Sequence, residues 1–180
     1  MLALPWILVC LAVLAAAFLA RAVFTGYPHS ALPRGALFSR KEQAIVAACA
    51  DALFPPGGPI PLSGTDAGLL AYMDTYVRRL PPPARLLVRL LFHSVEHGPW
   101  IFGPRPARFT RLCPEERVAV LRAMATSPIY FRRICCLSLR AMMTMGYLAH
   151  PEVASTMRLV SDPAPFETAR ALLATRESFA

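Results

Sequence analysis

Residues 128–149 read PIYFRRICCLSLRAMMTMGYLA, and this stretch decides the fold. Pro128 suits the first turn of a helix, and no further proline interrupts the residues that follow it. The stretch therefore predicts the longest helix of the domain. Because apolar side chains surround most of its circumference, we expect this helix to lie at the centre of a bundle.

Capping residues and prolines predict the neighbouring helices. The sequence SRKE (39–42) has the form of a capping box, in which a serine and a glutamate satisfy each other's backbone N–H groups. Thr65 or Asp66 can cap a second helix that ends near Arg79. Alternation of apolar and polar residues, which is typical of strands, is hard to find anywhere. We therefore expect an all-α protein with a single helical bundle domain.

A third helix is expected to run to His97 and to end at Gly98-Pro99. Its apolar residues recur at helical spacing, so we expect them to face the core. These residues are Leu86, Leu87, Leu90, Leu91 and Val95. Residues 98–112 then form a loop with several glycines and prolines, and residues 114–116 (PEE) start another helix.

The composition limits the classes of protein to consider. The chain has 180 residues, which corresponds to one globular domain, and 56% of them are hydrophobic. A mean hydropathy of +0.45 excludes disorder for most of the length. Lys and Arg number 19 against 11 Asp and Glu, which gives a formal charge of +8. The arginines are spread along the chain without an RNA-binding motif or zinc-finger spacing, so we expect no nucleic-acid partner.

Residues 1–20, MLALPWILVCLAVLAAAFLA, contain no charged side chain. A helix of this length spans about 30 Å, the hydrocarbon thickness of a bilayer. We therefore expect residues 1–24 to form a single-pass anchor, or an uncleaved signal, in the bacterial inner membrane. The sequence Ala20-Arg21-Ala22 leaves a cleaved signal peptide as the alternative. Cationic residues follow the segment and none precedes it, which favours a cytoplasmic domain, with a periplasmic one still open.

Residues 25–38 then form a linker, residues 39–157 the helical domain and residues 158–180 a partly helical tail. The sequence HSVEH (93–97) matches the H-x-x-E-H pattern of inverted zinc peptidases. Residues four apart share a helix face, so His93 and His97 could hold one Zn²⁺ while Glu96 activates its bound water. A polar helix end explains the same residues, and a zinc hydrolase is kept as the alternative.

Sequence motifs for other chemistry are missing. No G-x-S-x-G nucleophile turn, no dinucleotide-binding glycine loop and no phosphate-binding loop occurs in the sequence. We therefore expect no catalytic residue, no metal and no cofactor in this chain. Binding modules need exposed apolar surface with charge around it. Residues 98–112 and 128–149 are the two candidate segments that combine these properties. The candidate partner-binding residues are Trp100, Phe102, Arg105, Arg108, Tyr130, Arg132 and Arg133.

Five stretches in order carry a resemblance to a known family. They are FSRKEQAIVAACADALFPPGG (38–58), DAGLLAYMD (66–74) with LPPPARLLVRLL (80–91), EHGP (96–99), RFTRLCPEERVAVLRAM (108–124) and IYFRR…LRAMMTMGYLAHPEV (129–153). In this order and spacing the chain resembles the gluconate 2-dehydrogenase subunit 3 family, the small helical companions of flavin-dependent glucose-methanol-choline (GMC) dehydrogenases.

The resemblance implies a non-catalytic accessory subunit that binds and stabilises a large flavoprotein. FAD is then expected in the partner subunit, which oxidises an alcohol, a sugar or a sterol and can pass electrons to a cytochrome c or a quinone. The plain hydrophobic segment at residues 1–20 departs from the family's twin-arginine signal and suggests tethering to the lipid bilayer instead of export. A membrane scaffold without any redox partner is the other alternative.

Overall fold

The computed structural model describes residues 9–11, 13, 14, 17, 21, 25–27, 32 and 35–157. No strand occurs among these residues, and the all-α class is confirmed. A short 3₁₀ turn, Phe109–Arg111, lies between the fourth and fifth helices. The helices are α1 (Arg40–Leu53), α2 (Leu69–Arg79), α3 (Pro82–His97), α4 (Pro99–Phe102), α5 (Pro114–Ala125), α6 (Tyr130–Leu148) and α7 (Pro151–Thr156).

α1 lies at the centre of the bundle. It contacts α2, α3, α5, α6 and the 3₁₀ turn. Its residues Ile45, Val46, Cys49 and Ala50 are completely buried. Small side chains let several neighbours approach one helix closely, and α1 carries five alanines between residues 44 and 52. The bundle is therefore organised around α1.

The expectation that α6 is the central helix is wrong. α6 is the longest described helix, with 19 residues, but it buries one face only. Leu139 and Met143 are completely buried, whereas Leu137 on the other side is 64% exposed. α6 is apolar around most of its circumference because one apolar face packs in the core and a second apolar face lies on the surface.

Local signals place most helix starts correctly. The backbone N–H of Ser39 donates to Glu42 Oε2 over 2.9 Å, so the capping box of α1 is confirmed. The start of α2 differs, because its N-cap is Gly68 with a φ of 70°. Asp66 instead accepts a hydrogen bond from the Ser63 hydroxyl over 2.7 Å, which fixes the turn before the helix.

The core face of α3 differs in part from the expected one, although Val95 is buried and Leu91 packs against the core as predicted. Leu86, Leu87 and Leu90 are 58%, 67% and 53% exposed, whereas Phe92 and Val95 are completely buried. Residues three apart share one side of a helix, so this pair turns toward α1 and the three leucines turn outward. Periodicity alone did not distinguish the two apolar faces of α3.

Among the described residues, no helix is both long enough and apolar enough to cross a bilayer. Most of the predicted anchor, residues 1–24, and parts of the linker, residues 25–38, lie outside the described residues. The predicted tail, residues 158–180, lies outside them entirely.

Candidate functional site

An apolar groove separates α4 from the first turns of α6. Its cavity has a volume of about 130 Å³. An engineered apolar cavity of about 150 Å³ holds one benzene molecule, so this groove has room for one phenyl or leucyl side chain. The groove is lined by Ser94, Gly98, Pro99, Phe102, Val120, Met124, Phe131, Arg132 and Cys135.

Phe102 and Arg132 bring the two candidate segments together at this groove. The Arg132 guanidinium carbon lies 4.2 Å from the centroid of the Phe102 ring, within the range of a cation–π interaction. Trp100 and Phe102 on α4 remain 43% and 45% exposed. The structure thus places an aromatic residue of the 98–112 segment directly against an arginine of the long helix.

Ser127 orients the arginines at the start of α6. Arg132 Nη1 donates to the Ser127 hydroxyl oxygen over 3.2 Å, and Arg133 Nη1 donates to the Ser127 carbonyl over 2.7 Å. The Arg133 guanidinium also lies 5.7 Å from the Tyr130 ring centroid. A guanidinium has five N–H donors, so both groups keep donors for a carboxylate of a partner.

An apolar stripe runs along the outer face of α6, and the sequence analysis had identified only its residue Tyr130 as part of a partner-binding surface. Tyr130, Ile134, Leu137 and Met145 are 69%, 38%, 64% and 57% exposed. Their spacing is helical, because they lie four, three and eight residues apart. We call these four residues the outer stripe. The other three residues were expected to face the core, because α6 was expected to lie at the centre of the bundle.

Arg105 does not take part in the groove. Its Nε lies 3.1 Å from Glu116 Oε1, and Nη2 donates to the Arg111 carbonyl over 3.1 Å. Hydrogen bonding to Glu116 and its negative charge raise the pKa of Arg105. The side chain is about half exposed, so this ion pair fixes the loop before α5 to the helix start and contributes little to stability.

Arg108 is buried, and its assignment to a partner-binding surface is wrong. The residue is 1% exposed. Its Nη2 donates to the Thr25 carbonyl over 3.0 Å, and its guanidinium carbon lies 4.5 Å from the Tyr27 ring centroid. Arg108 therefore attaches the segment before the helical domain to the loop between α4 and α5. Burial of a guanidinium is tolerated where acceptors such as these satisfy its N–H groups.

The HSVEH motif divides between two environments. Glu96 is completely buried and accepts hydrogen bonds from the Tyr27 hydroxyl, the Thr110 hydroxyl and the Thr110 N–H over 2.8, 2.8 and 3.0 Å. His93 and His97 are half-buried on the same helix, with parallel rings 6.4 Å apart, and the charge of Glu96 acts on both imidazoles. The Glu96 carboxylate is thus occupied by three protein donors.

Cations surround the histidine pair. Lys41 Nζ lies 3.0 Å from His97 Nε2, and His93 Nε2 lies 3.6 Å from Glu42 Oε1, which also accepts from Arg89 Nε. Among the described residues, no group of three or more His, Cys, Asp and Glu side chains could hold a metal ion. Burial and the Lys41 charge lower the pKa of both histidines from 6.5.

We expect the free energy of unfolding to fall as the pH drops below about 6.5. The unfolded chain takes up protons at its ordinary histidine pKa of about 6.5, whereas folded His93 and His97 resist them until a lower pH. The contribution of the two neutral histidines to the free energy of unfolding is fully present above pH 6.5 and is lost as the pH falls below it. Urea unfolding at a series of pH values measures this slope.

The double variant His93→Gln/His97→Gln should show a flatter pH profile between about pH 7 and pH 5. Glutamine keeps a polar side chain of similar length and does not titrate. An unchanged slope in the double variant would show that other groups cause the pH dependence.

No protein-family model, curated protein or solved structure matches the chain. The class of protein is therefore defined by the structure of the described residues. They form an all-α bundle with an apolar groove and an outer apolar stripe, both next to arginines.

Proposed function

We propose that the chain is a non-catalytic small subunit that binds, stabilises and membrane-tethers a large FAD-dependent dehydrogenase of the GMC type. The partner oxidises an alcohol, a sugar or a sterol and passes electrons to a cytochrome c or a quinone. The proposal rests on the resemblance of residues 38–153 to gluconate 2-dehydrogenase subunit 3 and on the exposed face of α4 and α6.

The observation that carries the proposal is the apolar surface at the groove and the outer stripe. Ile101 on α4 is 78% exposed and Phe131 on α6 is 66% exposed. Exposed apolar side chains that lie together mark protein–protein contacts, particularly where aromatic residues and arginines are mixed. Arg132 and Arg133 supply the charged rim, which favours a partner surface with carboxylates next to an apolar anchor.

The membrane-tethering part of the proposal comes from the sequence of residues 1–24. Tyr27 and Arg108 support it, because they connect the chain directly after that segment to the folded domain. The domain would then be held near the inner membrane on its cytoplasmic or periplasmic side.

Purification of the tagged full chain from its native cells in a mild neutral detergent tests the proposal. We expect a large protein with bound FAD to copurify, as shown by flavin fluorescence and mass spectrometry. The variant Leu137→Asp puts a charge in the middle of the outer stripe, and it should reduce the copurified flavin at least tenfold. A tenfold loss corresponds to about 1.4 kcal/mol of binding free energy.

Leu86→Asp is the matched control. Leu86 is 58% exposed on α3 and does not line the groove. The same chemical change there should leave the copurified flavin within twofold. Equal loss in both variants would contradict docking on α6, and a preparation of the wild type without any flavoprotein would favour the membrane scaffold.

A further inference from the structure

A second cleft lies on the other side of α6, between α5, α6 and the end of α1. Its cavity has a volume of about 310 Å³, at the lower end of the range for small-molecule sites. Three residues of α6 one turn apart, Cys136, Arg140 and Thr144, form one wall. The remaining lining residues are Ala52, Leu53, Phe54, Val118, Leu121, Arg122 and Ala125.

The charged groups of this cleft are all cationic. Arg122 and Arg140 line it from opposite helices, and no acidic residue is part of the lining. Within residues 35–157, neither guanidinium forms an ion pair, and neither donates a hydrogen bond to a protein acceptor. The other exposed arginines near α6 differ, since Arg132 and Arg133 bind Ser127. The two arginines therefore keep their donors for a ligand.

The rest of the cleft is apolar. Leu53, Phe54, Val118 and Leu121 form its wall opposite α6. A neighbouring cavity of about 300 Å³ shares Ala125, Cys136 and Arg140 with the cleft and continues to Leu137, Ile134 and Arg133. A ligand with an anionic head and an attached hydrocarbon group would therefore meet arginines at one point and apolar side chains beyond it.

We propose that this arginine cleft binds the phosphate of an anionic amphiphile, with Arg122 and Arg140 as the two phosphate ligands. Guanidinium groups bind phosphate oxygens through two parallel hydrogen bonds, and two arginines can do so from opposite sides. The Thr144 hydroxyl adds a neutral donor on the same wall. Phosphate can come from a lipid headgroup or from a free phosphate ion, and the apolar wall favours the lipid. This site is separate from the groove and does not depend on a flavoprotein.

The test uses the full chain in a neutral maltoside detergent. Short-chain phosphatidylglycerol and inorganic phosphate are titrated separately, and binding is followed by isothermal calorimetry. We expect phosphatidylglycerol to bind, and the variant Arg122→Gln/Arg140→Gln to weaken its binding at least tenfold. Tight binding of inorganic phosphate as well supports a phosphate site with a soluble source, whereas binding of the lipid only supports the headgroup.

The variant Arg40→Gln/Arg79→Gln is the matched control, because it removes the same two charges from exposed positions on α1 and α2. Its affinity should stay within twofold of the wild type. Equal weakening in both variants, or no binding of either probe, would overturn the proposal.

Arginine modification by phenylglyoxal gives a second readout on the unmutated chain. Phosphatidylglycerol should protect Arg122 and Arg140 from modification and leave Arg40 and Arg79 reactive, as measured by peptide mass spectrometry. Protection of all four arginines, or of none, would likewise count against the site. This measurement decides the question even if the double variant does not fold.

Discussion

The variant Glu96→Ala should lower the free energy of unfolding by about 3 kcal/mol. Glu96 is completely buried, and its carboxylate accepts three hydrogen bonds from Tyr27 and Thr110. Alanine leaves the half-buried Thr110 N–H without its acceptor and removes the negative charge near Arg108 and Lys41. Each unsatisfied buried donor costs about 1–3 kcal/mol. Urea unfolding of the full chain in detergent, followed by circular dichroism, measures the loss.

Two further variants define the cause of that loss. Tyr27→Phe removes one of the three hydrogen bonds and should cost about 1 kcal/mol. The pKa of Tyr27 is raised to about 12 by burial and by its hydrogen bond to Glu96, so the hydroxyl stays protonated and donates throughout the neutral range. Glu115→Ala removes an exposed carboxylate from the first turn of α5 and should cost less than about 1 kcal/mol.

The same experiment separates a structural Glu96 from a zinc-site base. A base that activates a metal-bound water can be removed with little effect on folding, whereas the carboxylate described above holds three donors in place. A Glu96→Ala protein as stable as the wild type would contradict the structural role. Zinc content that falls in His93→Ala would then favour the hydrolase.

The variant Gly146→Val should also lower the free energy of unfolding by about 3 kcal/mol. At Gly146, α6 packs directly against Tyr72 and Leu69 of α2. A Cβ at this position would overlap the Tyr72 ring and lie 2.7 Å from Leu69 Cδ2. Leu69 is completely buried, so it has no space to move into. The valine must therefore push the two helices apart or force strained rotamers.

Ala141→Val is the matched control for this substitution. Ala141 lies on the exposed side of the same helix. Valine there costs only its lower helix propensity, about 0.6 kcal/mol. Thermal unfolding of both variants gives the comparison, and similar losses would show that helix propensity, not the contact with α2, explains the effect at Gly146.

The sequence predicted most helix starts because these depend on nearby residues, but it missed α4 within the predicted loop 98–112 and the cap of α2. The Ser39–Glu42 capping box and the proline at the start of α5 act within one turn, and both are in place. Aromatic residues and arginines likewise identified the segments that meet at the groove, since Phe102 and Arg132 are in contact. These signals are local in the chain and need no knowledge of how the helices pack.

It was harder to predict which apolar face of a helix is buried in the core. The leucines of α3 and the outer stripe of α6 have the helical spacing of core residues, yet they are exposed. Periodicity identifies an apolar face, but it does not say whether the protein itself or a partner covers that face. The arginine cleft was missed for a related reason. Arg122 and Arg140 are 18 residues apart in sequence and lie together only because α5 packs on α6.

The sequence by itself determined an all-α chain, most of its helix starts and its excess of apolar and basic residues. Only the tertiary structure decided which cations are buried and which are available to a ligand. Arg108 and Arg132 both follow aromatic or apolar neighbours in sequence, yet Arg108 is 1% exposed and Arg132 lines a groove. The physical reason is distance along the chain. Burial of Arg108 requires an acceptor 83 residues away at Thr25, and no local pattern specifies such a contact.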